Sequence, residues 1–214
     1  MYLLRQNIDI SPYYIKENCF NDEEIEKIKE IASSISPIDA HVGVSLKDYT
    51  DGLNAHLQDS SSGQVDSARR SLLRWIELDE NTNWLFKKII KIIKEVNAIN
   101  FDYILTFLEN LQFTEYNDEE QGMYRRHNDC GNPDHMNNSV DIRKISFTIQ
   151  LSDETDYEGG DFILYNDCDD GFKKMTRKKG SMIFFHSNIE HEVTPVTKGV
   201  RYSLVSWVNG PNLR

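Results

Sequence analysis

Two segments in the first hundred residues carry apolar side chains every three or four positions, the spacing of one face of an α-helix. The first segment covers residues 22–34. It follows Asn21 and has Glu24 three positions later, a pair typical of a helix start in which each side chain hydrogen-bonds the other residue's backbone. Its apolar positions are Ile25, Ile28, Ile31 and Ala32. This pattern predicts an amphipathic helix over residues 22–34.

The second segment runs from Trp84 to Ala98 and predicts a longer amphipathic helix. Its apolar positions are Leu85, Ile89, Ile92, Ile93 and Val96, and lysines occupy positions 87, 88, 91 and 94 on the other side. A shorter helix is predicted over residues 67–78. The polar stretch 47–64 contains the turn-forming run DSSSGQ and is too long for a simple connection. It is therefore either a mobile flap or an ordinary surface loop.

After Phe101 the spacing changes, and short apolar or alternating runs are separated by clusters of turn-forming residues. The predicted strands cover residues 104–116, 123–128, 143–152, 161–165, 181–186, 191–195 and 200–208. Many short strands in close succession are typical of an antiparallel sandwich or barrel. We therefore expect one domain in which helices pack against a β-rich core.

The strand over residues 143–152 alternates most clearly. Its apolar positions are Ile145, Phe147, Ile149 and Leu151, and its polar positions are Ser146, Thr148 and Gln150. The two sets project from opposite faces of a strand. Because the helices need an apolar sheet face to cover, the polar face would then look into the barrel as the wall of a pocket. The ordinary alternative, a polar face in contact with water, is equally compatible with this strand alone.

Composition narrows the class of protein and of partner. The 214 residues are 39% hydrophobic and 28% charged, which excludes collagen-like, coiled-coil and disordered classes. No apolar run is long enough for a membrane span, and the N-terminal segment lacks the features of a signal peptide. Three cysteines without CxxC spacing argue against a disulfide framework, so we expect a cytoplasmic protein. The net charge of −11 repels phosphate backbones and disfavours nucleic acid as a partner.

A candidate metal site begins with His127 and Asp129. Residues two apart on a strand project from the same face, so this imidazole and carboxylate can bind one ion together. The pair by itself is weak, because six histidines and abundant aspartates produce such spacing by chance. His191, 64 positions after His127, adds a second imidazole. Two imidazoles and one carboxylate suit non-haem Fe(II) and leave positions open for other ligands; the alternative for His191 is a hydrogen-bonded core histidine.

Arg201 follows His191 by ten positions, in a predicted strand whose same face also carries Ser203, Val205 and Trp207. An arginine that faces inward among apolar neighbours is costly unless it meets an anion. Its planar guanidinium matches a carboxylate through two parallel hydrogen bonds. Arg201 therefore predicts either a bound dicarboxylic acid or a salt bridge with one of the chain's own acidic residues.

Taken in order, these residues resemble the Fe(II)- and 2-oxoglutarate-dependent dioxygenases, most of all their prolyl 4-hydroxylase branch. The resemblance covers residues 101–210. Its motifs are Tyr116, Tyr124-x-x-His127-x-Asp129, Tyr157-Glu-Gly159-Gly160, Lys179-Gly180-Ser181, His191-Glu-Val-x-Pro195 and Gly199-x-Arg201-x-Ser203. It implies an α+β, mainly β fold: a double-stranded β-helix core (jelly roll or cupin-like) with the N-terminal helices packed on one sheet. It also implies a single domain over residues 1–214, with helical support in 1–100 and the catalytic core in 101–210.

The resemblance also implies roles for individual residues. Iron would be held by His127, Asp129 and His191, and Arg201 would bind the distal carboxylate of 2-oxoglutarate with assistance from Ser203.

Three more positions belong to the implied pocket. Tyr116 occupies the place of a tyrosine that often hydrogen-bonds the cosubstrate, and Tyr124 matches a frequent residue on the substrate side. Some animal prolyl hydroxylases carry a cosubstrate-binding tyrosine where this chain places Gln150. Gln150 is therefore included among the candidate cosubstrate-binding residues.

The implied activity is hydroxylation of a substrate C–H bond with release of succinate and CO2, using Fe(II), 2-oxoglutarate and O2, with ascorbate as a candidate reductant. The expected substrate is a prolyl residue in a protein or peptide. Two alternatives stay open: the same chemistry on a free amino acid, small metabolite or nucleobase, and a jelly-roll binding module without enzymatic activity. Substrate choice would depend on the loops 47–64 and 130–141, which are candidate lids.

Overall fold

A computed structural model of the chain describes residues 11–39, 68–130, 141–165 and 171–212. The predicted flap 47–64 lies outside the described residues, as does the 130–141 loop apart from its two end residues. The helices are α1 (Asp22–Ser33) and α2 (Asn83–Val96), and α2 continues into a π-helical turn (Asn97–Phe101). The strands are β1 (Tyr13–Lys16), β2 (Ile38–Asp39), β3 (Arg69–Arg70), β4 (Leu72–Ile76), β5 (Phe107–Leu108), β6 (Leu111–Asn117), β7 (Met123–His127), β8 (Asp141–Gln150), β9 (Tyr157–Gly159), β10 (Phe162–Leu164), β11 (Lys173–Lys174), β12 (Met182–His186), β13 (His191–Val193) and β14 (Val196–Pro211).

The strands form two antiparallel sheets. The larger sheet has the order β1-β12-β8-β14-β6-β4-β2, with β5 and β9 also paired to β14. The smaller sheet has the order β11-β10-β13-β7-β3. Most neighbours in both sheets come from distant parts of the chain, β10 and β11 being consecutive strands, so the sheets are held together mainly by long-range pairing. The prediction of a mainly β fold with antiparallel sheets and supporting helices is confirmed.

Helix α1 begins at the predicted capping pair. The Asn21 side chain accepts a hydrogen bond from the Glu24 backbone N–H (2.9 Å), and the Glu24 carboxylate accepts one from the Asn21 N–H (3.0 Å). Its apolar stripe then turns inward, and Ile25 and Ile28 are fully buried. Burying an isoleucine side chain contributes about 1.5–3 kcal/mol, so this stripe anchors the helix to the core.

The helices cover the outer face of the larger sheet, as predicted. The core cluster that holds the stripes of α1 and α2 also holds Ile145, Phe147 and Ile149 from β8. Because side chains alternate along a strand, Ser146, Thr148 and Gln150 project from the other face, and all three are buried. The polar face of β8 therefore looks between the two sheets, which decides the question that its alternation left open.

The helix predicted over residues 67–78 is wrong. Residues 69–70 and 72–76 are strands β3 and β4, and β4 pairs with β6 from Leu72↔Glu115 to Ile76↔Leu111. The spacing of apolar residues in this short segment was compatible with a helix. The backbone hydrogen bonds that make it a strand come from β6, about 40 positions later, and the segment's own sequence does not reveal them. Strand β1 was not predicted either, and it adds to the sheet edge by pairing Tyr13–Lys16 with β12.

None of the helices formed by the described residues is long and apolar enough to cross a bilayer.

Candidate active site

Three potential metal ligands meet at the end of the smaller sheet. His127 is the last residue of β7, His191 is the first residue of β13, and the two are paired across the ladder between these strands. Asp129 follows β7 by two positions, and its backbone N–H donates to the Ser187 carbonyl (2.9 Å). One ligand atom from each of His127, Asp129 and His191 lies within 4.8 Å of the others. The structure thus brings together the three residues predicted from the sequence.

The histidine rings are oriented by their own backbone. Nδ1 of His127 lies 2.7 Å from the Arg125 carbonyl oxygen, and Nδ1 of His191 lies 3.0 Å from the Ile189 carbonyl oxygen. Because a carbonyl oxygen only accepts, each Nδ1 carries the proton and donates it. The Nε2 atoms therefore keep their lone pairs and lie 3.7 Å and 3.5 Å from the Asp129 carboxylate oxygens. A second hydrogen bond that fixes the ring is a common property of metal-binding histidines.

The protonation states also match a metal site. Burial, together with the neighbouring His191, lowers the pKa of His127 to about 4. Burial raises the pKa of Asp129, but the charges of His191 and His127 and hydrogen bonds from nearby side chains outweigh it, so this pKa lies below its usual value. At neutral pH His127 is therefore neutral and Asp129 ionised, the forms that bind a metal ion. Two imidazoles and one carboxylate are a donor set that fits Fe(II).

Arg201, on β14, is only 2% exposed. Its Nη2 donates to the Gln150 side-chain oxygen (3.2 Å), and its Nη1 lies 3.5 Å from the Ser203 hydroxyl. Among the described residues, its Nε has no hydrogen-bond partner and no carboxylate pairs with it. The salt bridge considered as an alternative is thus not found within the described part of the chain. A buried cation without an anion is strongly unfavourable, so this side chain fits a carboxylate ligand.

Gln150 and Tyr116 complete this end of the site. Gln150 stands opposite Ser203 in the β8–β14 register, and its buried side-chain N–H2 also has no partner among the described residues. Tyr116 stands opposite Arg201 in the β6–β14 register, with the guanidinium 5.5 Å from its ring centre. The tyrosine and the amide therefore lie beside the Arg201 guanidinium, where a carboxylate would bind.

One cavity of about 290 Å³ joins the three ligands to Arg201, and Tyr116, Tyr124 and Ser203 also line it. Gln150 does not line this cavity and contacts Arg201 instead. Tyr124 stacks on His127 with ring centres 3.6 Å apart, and burial raises the pKa of its hydroxyl. Tyr124 is thus a wall of the metal site.

Two cavity-lining arginines were missed in the sequence. Arg69 lies over the Tyr124 ring at 4.6 Å, and Arg143 lies over the Trp207 ring at 3.8 Å. Arg69 was hidden by the wrong helix prediction over residues 67–78. Arg143 was missed because of the alternation in β8. It has an odd number, like the apolar residues of that strand, so strict alternation placed it on their face and away from the cavity.

A β-bulge explains the position of Arg143. The register between β8 and β14 passes from Ile145↔Val208 directly to Arg143↔Asn209, so β8 has one extra residue there. An extra residue reverses the face on which the following side chains project. Arg143 therefore faces the cavity, although strict alternation would place it on the helix-covered side.

The chain is similar to known proteins in sequence and in fold. Residues 111–209 match the family model of the 2OG-Fe(II) oxygenase superfamily. A PKHD-type hydroxylase from a Synechococcus strain is 39% identical over 64 residues, which are 30% of this chain and 28% of that protein. A PKHD-type hydroxylase from Synechococcus elongatus is 34% identical over 105 residues, which are 47% of this chain and 43% of that protein. The matches thus span less than half of these relatives' length.

Solved structures extend the likeness in fold to nearly the whole chain. A Pseudomonas putida prolyl-4-hydroxylase has a TM-score of 0.64 at 16% identity, covering 94% of both chains. A prolyl hydroxylase from Trichoplax adhaerens, solved with a hypoxia-inducible factor peptide fragment, has a TM-score of 0.63 at 19% identity and covers 92% of this chain and 83% of that one. A viral collagen prolyl hydroxylase from Paramecium bursaria Chlorella virus-1, in its 2-oxoglutarate complex, also has a TM-score of 0.63 at 19% identity, covering 94% and 97%.

The double-stranded β-helix prediction is therefore confirmed. The segment that matches the family model contains the three candidate ligands, Arg201 and the strands that hold them. Residues 111–209 of this chain are thus similar to the 2OG-Fe(II) oxygenase superfamily, and the chain has a fold of the prolyl 4-hydroxylase type.

Proposed function

We propose that this chain is an Fe(II)- and 2-oxoglutarate-dependent dioxygenase that hydroxylates a prolyl residue of a protein or peptide. One observation carries the proposal: a buried arginine without a carboxylate partner in the described chain opens into the same cavity as two imidazoles and a carboxylate. A metal ion and a dicarboxylic acid would satisfy both groups at once.

When bound, iron(II) and 2-oxoglutarate would supply the activation of O2 and the oxidation of the C–H bond, with succinate and CO2 as co-products. The chain itself supplies binding and orientation. His127, Asp129 and His191 would hold the metal in forms that need no proton release from His127 at neutral pH. Arg201 would bind the far carboxylate through its guanidinium, and the unpartnered Gln150 amide lies next to that group.

Apolar side chains line part of the cavity beside the metal ligands. Phe162, Phe185 and Val193 belong to a buried apolar cluster and also line the cavity beside His191. The rings of Phe162 and Phe185 lie 5.7 Å and 4.7 Å from the His191 ring. Apolar walls of this kind strengthen the attraction between Arg201 and a carboxylate, because they lower the local dielectric constant.

Two further observations support the proposal of a prolyl substrate. The similar solved structures are named as prolyl hydroxylases, and one was solved with a peptide fragment. Trp75 and Trp207 line the cavity with ring centres 6.3 Å apart, an aromatic surface of the kind on which proline-rich peptides dock. A cytoplasmic location is also proposed, from the three cysteines without CxxC spacing.

The test is a paired assay on the purified chain with Fe(II), 2-oxoglutarate and air. Succinate is quantified, and prolyl peptides are examined for a gain of one oxygen atom, with the same peptides carrying alanine for proline as controls. We expect oxygen from labelled O2 in the proline-containing peptides only. Succinate with a hydroxylated free amino acid or nucleobase instead would overturn the prolyl substrate. A chain that neither binds 2-oxoglutarate nor forms succinate would overturn the oxygenase activity. Parallel reactions with and without ascorbate decide whether it serves as a reductant.

A further inference from the structure

His127 is more exposed than His191, the other histidine among the candidate metal ligands. The His127 side chain is 21% exposed, whereas that of His191 is 8% exposed. The His191 ring contacts the rings of Phe162 and Phe185, which belong to a buried apolar cluster. The His127 ring instead contacts His191 and Tyr124, so its orientation depends strongly on what holds Tyr124 in place.

Arg69, Tyr124 and His127 contact one another in that order. The Tyr124 and His127 rings are stacked, with centres 3.6 Å apart and planes inclined by 23°. The Arg69 guanidinium lies over the Tyr124 ring, 4.6 Å from its centre. A cation at this distance is attracted by the negative face of an aromatic ring. Arg69 therefore stabilises the position of the ring on which His127 is stacked.

Arg69 is itself fixed by its own strand. The residue is 7% exposed, and its Nε donates a hydrogen bond to the hydroxyl of Ser71 (2.8 Å), which is also buried. In the ladder between β3 and β7, Arg69 stands directly opposite Tyr124. The strand pairing and the hydrogen bond to Ser71 together place the guanidinium over the tyrosine ring.

The backbone at the start of β3 supports His127 by a second route. The Ala68 carbonyl accepts a hydrogen bond from the Arg125 N–H (2.9 Å), and the Arg125 carbonyl accepts one from Nδ1 of His127 (2.7 Å). The hydrogen bond acts in the plane of the imidazole, and the Tyr124 stack acts on its face. Ala68 and Arg69 therefore support the orientation of His127 in two directions.

We infer that Arg69 is a positioning residue for the metal ligand His127: its guanidinium holds the Tyr124 ring, and that ring keeps the His127 imidazole oriented for metal binding. The inference deepens the metal site and rests on the proposed function. Groups that orient metal-binding histidines commonly change metal affinity by about 10–100-fold when they are removed. Arg69 thus acts through Tyr124, beyond its contribution to the cavity wall.

The test measures the Co(II) affinity of the purified chain from the visible absorption of the bound ion, without substrate or O2 turnover. Arg69→Met keeps a long side chain and removes the charge over Tyr124. Arg177→Met is the matched control, because Arg177 lies 3.9 Å from the centre of the Tyr157 ring but does not line the cavity. We expect Co(II) affinity to fall about 10-fold in Arg69→Met and to stay at the wild-type value in Arg177→Met. Wild-type affinity in Arg69→Met would overturn the inference.

A double-mutant cycle decides whether Arg69 acts through Tyr124 or through the general stability of the fold. Arg69→Met should weaken Co(II) binding about 10-fold in the wild-type chain but cause little further loss in a chain that already carries Tyr124→Leu, because residues that act together are not additive. Equal losses in the two backgrounds would mean that Arg69 is only a structural residue.

A comparison at Tyr124 keeps the test decisive if Arg69→Met does not fold. Tyr124→Leu removes the ring, whereas Tyr124→Phe keeps it. We therefore expect Tyr124→Leu to bind Co(II) about 10-fold more weakly than Tyr124→Phe. Equal affinities of these two variants would contradict the inference, since the stack on His127 would then have no effect on the metal.

His191→Ala separates this inference from the proposed function. If His191→Ala binds Co(II) as tightly as the wild type, the metal site is wrong, and the proposed function fails with it. If His191→Ala loses Co(II) binding while Arg69→Met and Tyr124→Leu keep wild-type affinity, only the positioning role is wrong.

Discussion

His127 and His191 are direct partners in the antiparallel ladder between β7 and β13, and their ring centres lie 4.2 Å apart. Sixty-four positions separate them in the sequence, and one backbone register brings them together. The two histidines of the metal site therefore belong to the sheet itself. Asp129, two positions after His127, provides the third ligand. Changes that act on the cosubstrate end of the cavity should leave this pairing intact, which makes the two ends separable by experiment.

Replacing Arg201 by glutamine should abolish tight binding of 2-oxoglutarate. Loss of the charged partner of a buried carboxylate costs several kcal/mol, so the dissociation constant should rise on the order of 100-fold. The measurement is a titration of 2-oxoglutarate into the metal-loaded chain. Arg177→Gln is the control, because Arg177 also stacks on a tyrosine (Tyr157, 3.9 Å) but does not line the cavity. Equal affinities for the two variants would contradict the assignment of Arg201.

The same Arg201→Gln variant should not be less stable than the wild type when no ligand is present. A buried cation without a paired anion opposes folding, and its removal relieves that cost. The measurement is the melting temperature of both chains without 2-oxoglutarate. Saturating 2-oxoglutarate should raise the melting temperature of the wild type only, since a ligand stabilises the state that binds it. A large loss of stability in the ligand-free variant would mean that Arg201 is a structural residue.

Gln150→Glu should prevent 2-oxoglutarate from pairing with Arg201. The Gln150 side-chain oxygen already accepts a hydrogen bond from Arg201 at 3.2 Å, so a carboxylate of the same size would pair with the guanidinium. We expect the dissociation constant of 2-oxoglutarate to rise on the order of 100-fold, while Co(II) binding stays at the wild-type value. Gln150→Leu, which cannot pair with Arg201, should weaken 2-oxoglutarate binding less. Wild-type affinity in Gln150→Glu would show that the cosubstrate does not use Arg201.

His186 should make folding stability depend on pH. Burial lowers its pKa below 6.5, and its Nδ1 lies 2.8 Å from the Tyr103 hydroxyl. The unfolded chain therefore takes up a proton more readily than the folded chain as pH falls below about 6.5, and stability is lost in that direction. His186→Gln keeps a hydrogen-bonding side chain that does not titrate, so the stability advantage of the wild type over this variant should shrink between neutral and acidic pH. Urea unfolding of both chains over that range is the measurement; parallel pH curves would contradict it.

Gly180→Ala should destabilise the fold far more than Gly171→Ala. Both glycines have positive φ (77° and 84°), so both substitutions carry a backbone strain of about 1–2 kcal/mol. A methyl group on Gly180 would also overlap the Phe20 carbonyl oxygen, whereas no atom of the described residues lies within 4 Å of the same position on Gly171. Overpacking should add about 1–3 kcal/mol at Gly180 alone. Urea unfolding measures both free energies; equal losses would show that the chain at Phe20 can move away.

Local patterns in the sequence predicted the parts of this protein that depend on neighbouring residues. The spacing around Ile25 and Ile28 and the Asn21–Glu24 pair are contained within one helix, so they could be interpreted without the rest of the chain. The alternation of β8 separated Ser146, Thr148 and Gln150 from the helix-covered face for the same reason.

What the sequence determined by itself was the inventory: two amphipathic helices, a succession of short strands, a His-x-Asp pair and an arginine among apolar neighbours. The tertiary structure decided which strands are adjacent and in what register. It made residues 72–76 a strand by pairing them with β6, and it turned Arg143 toward the cavity through a bulge. It also placed Gln150 beside Arg201. Periodicity within one segment carries no information about register between distant segments, and in a double-stranded β-helix that register is what assembles the site.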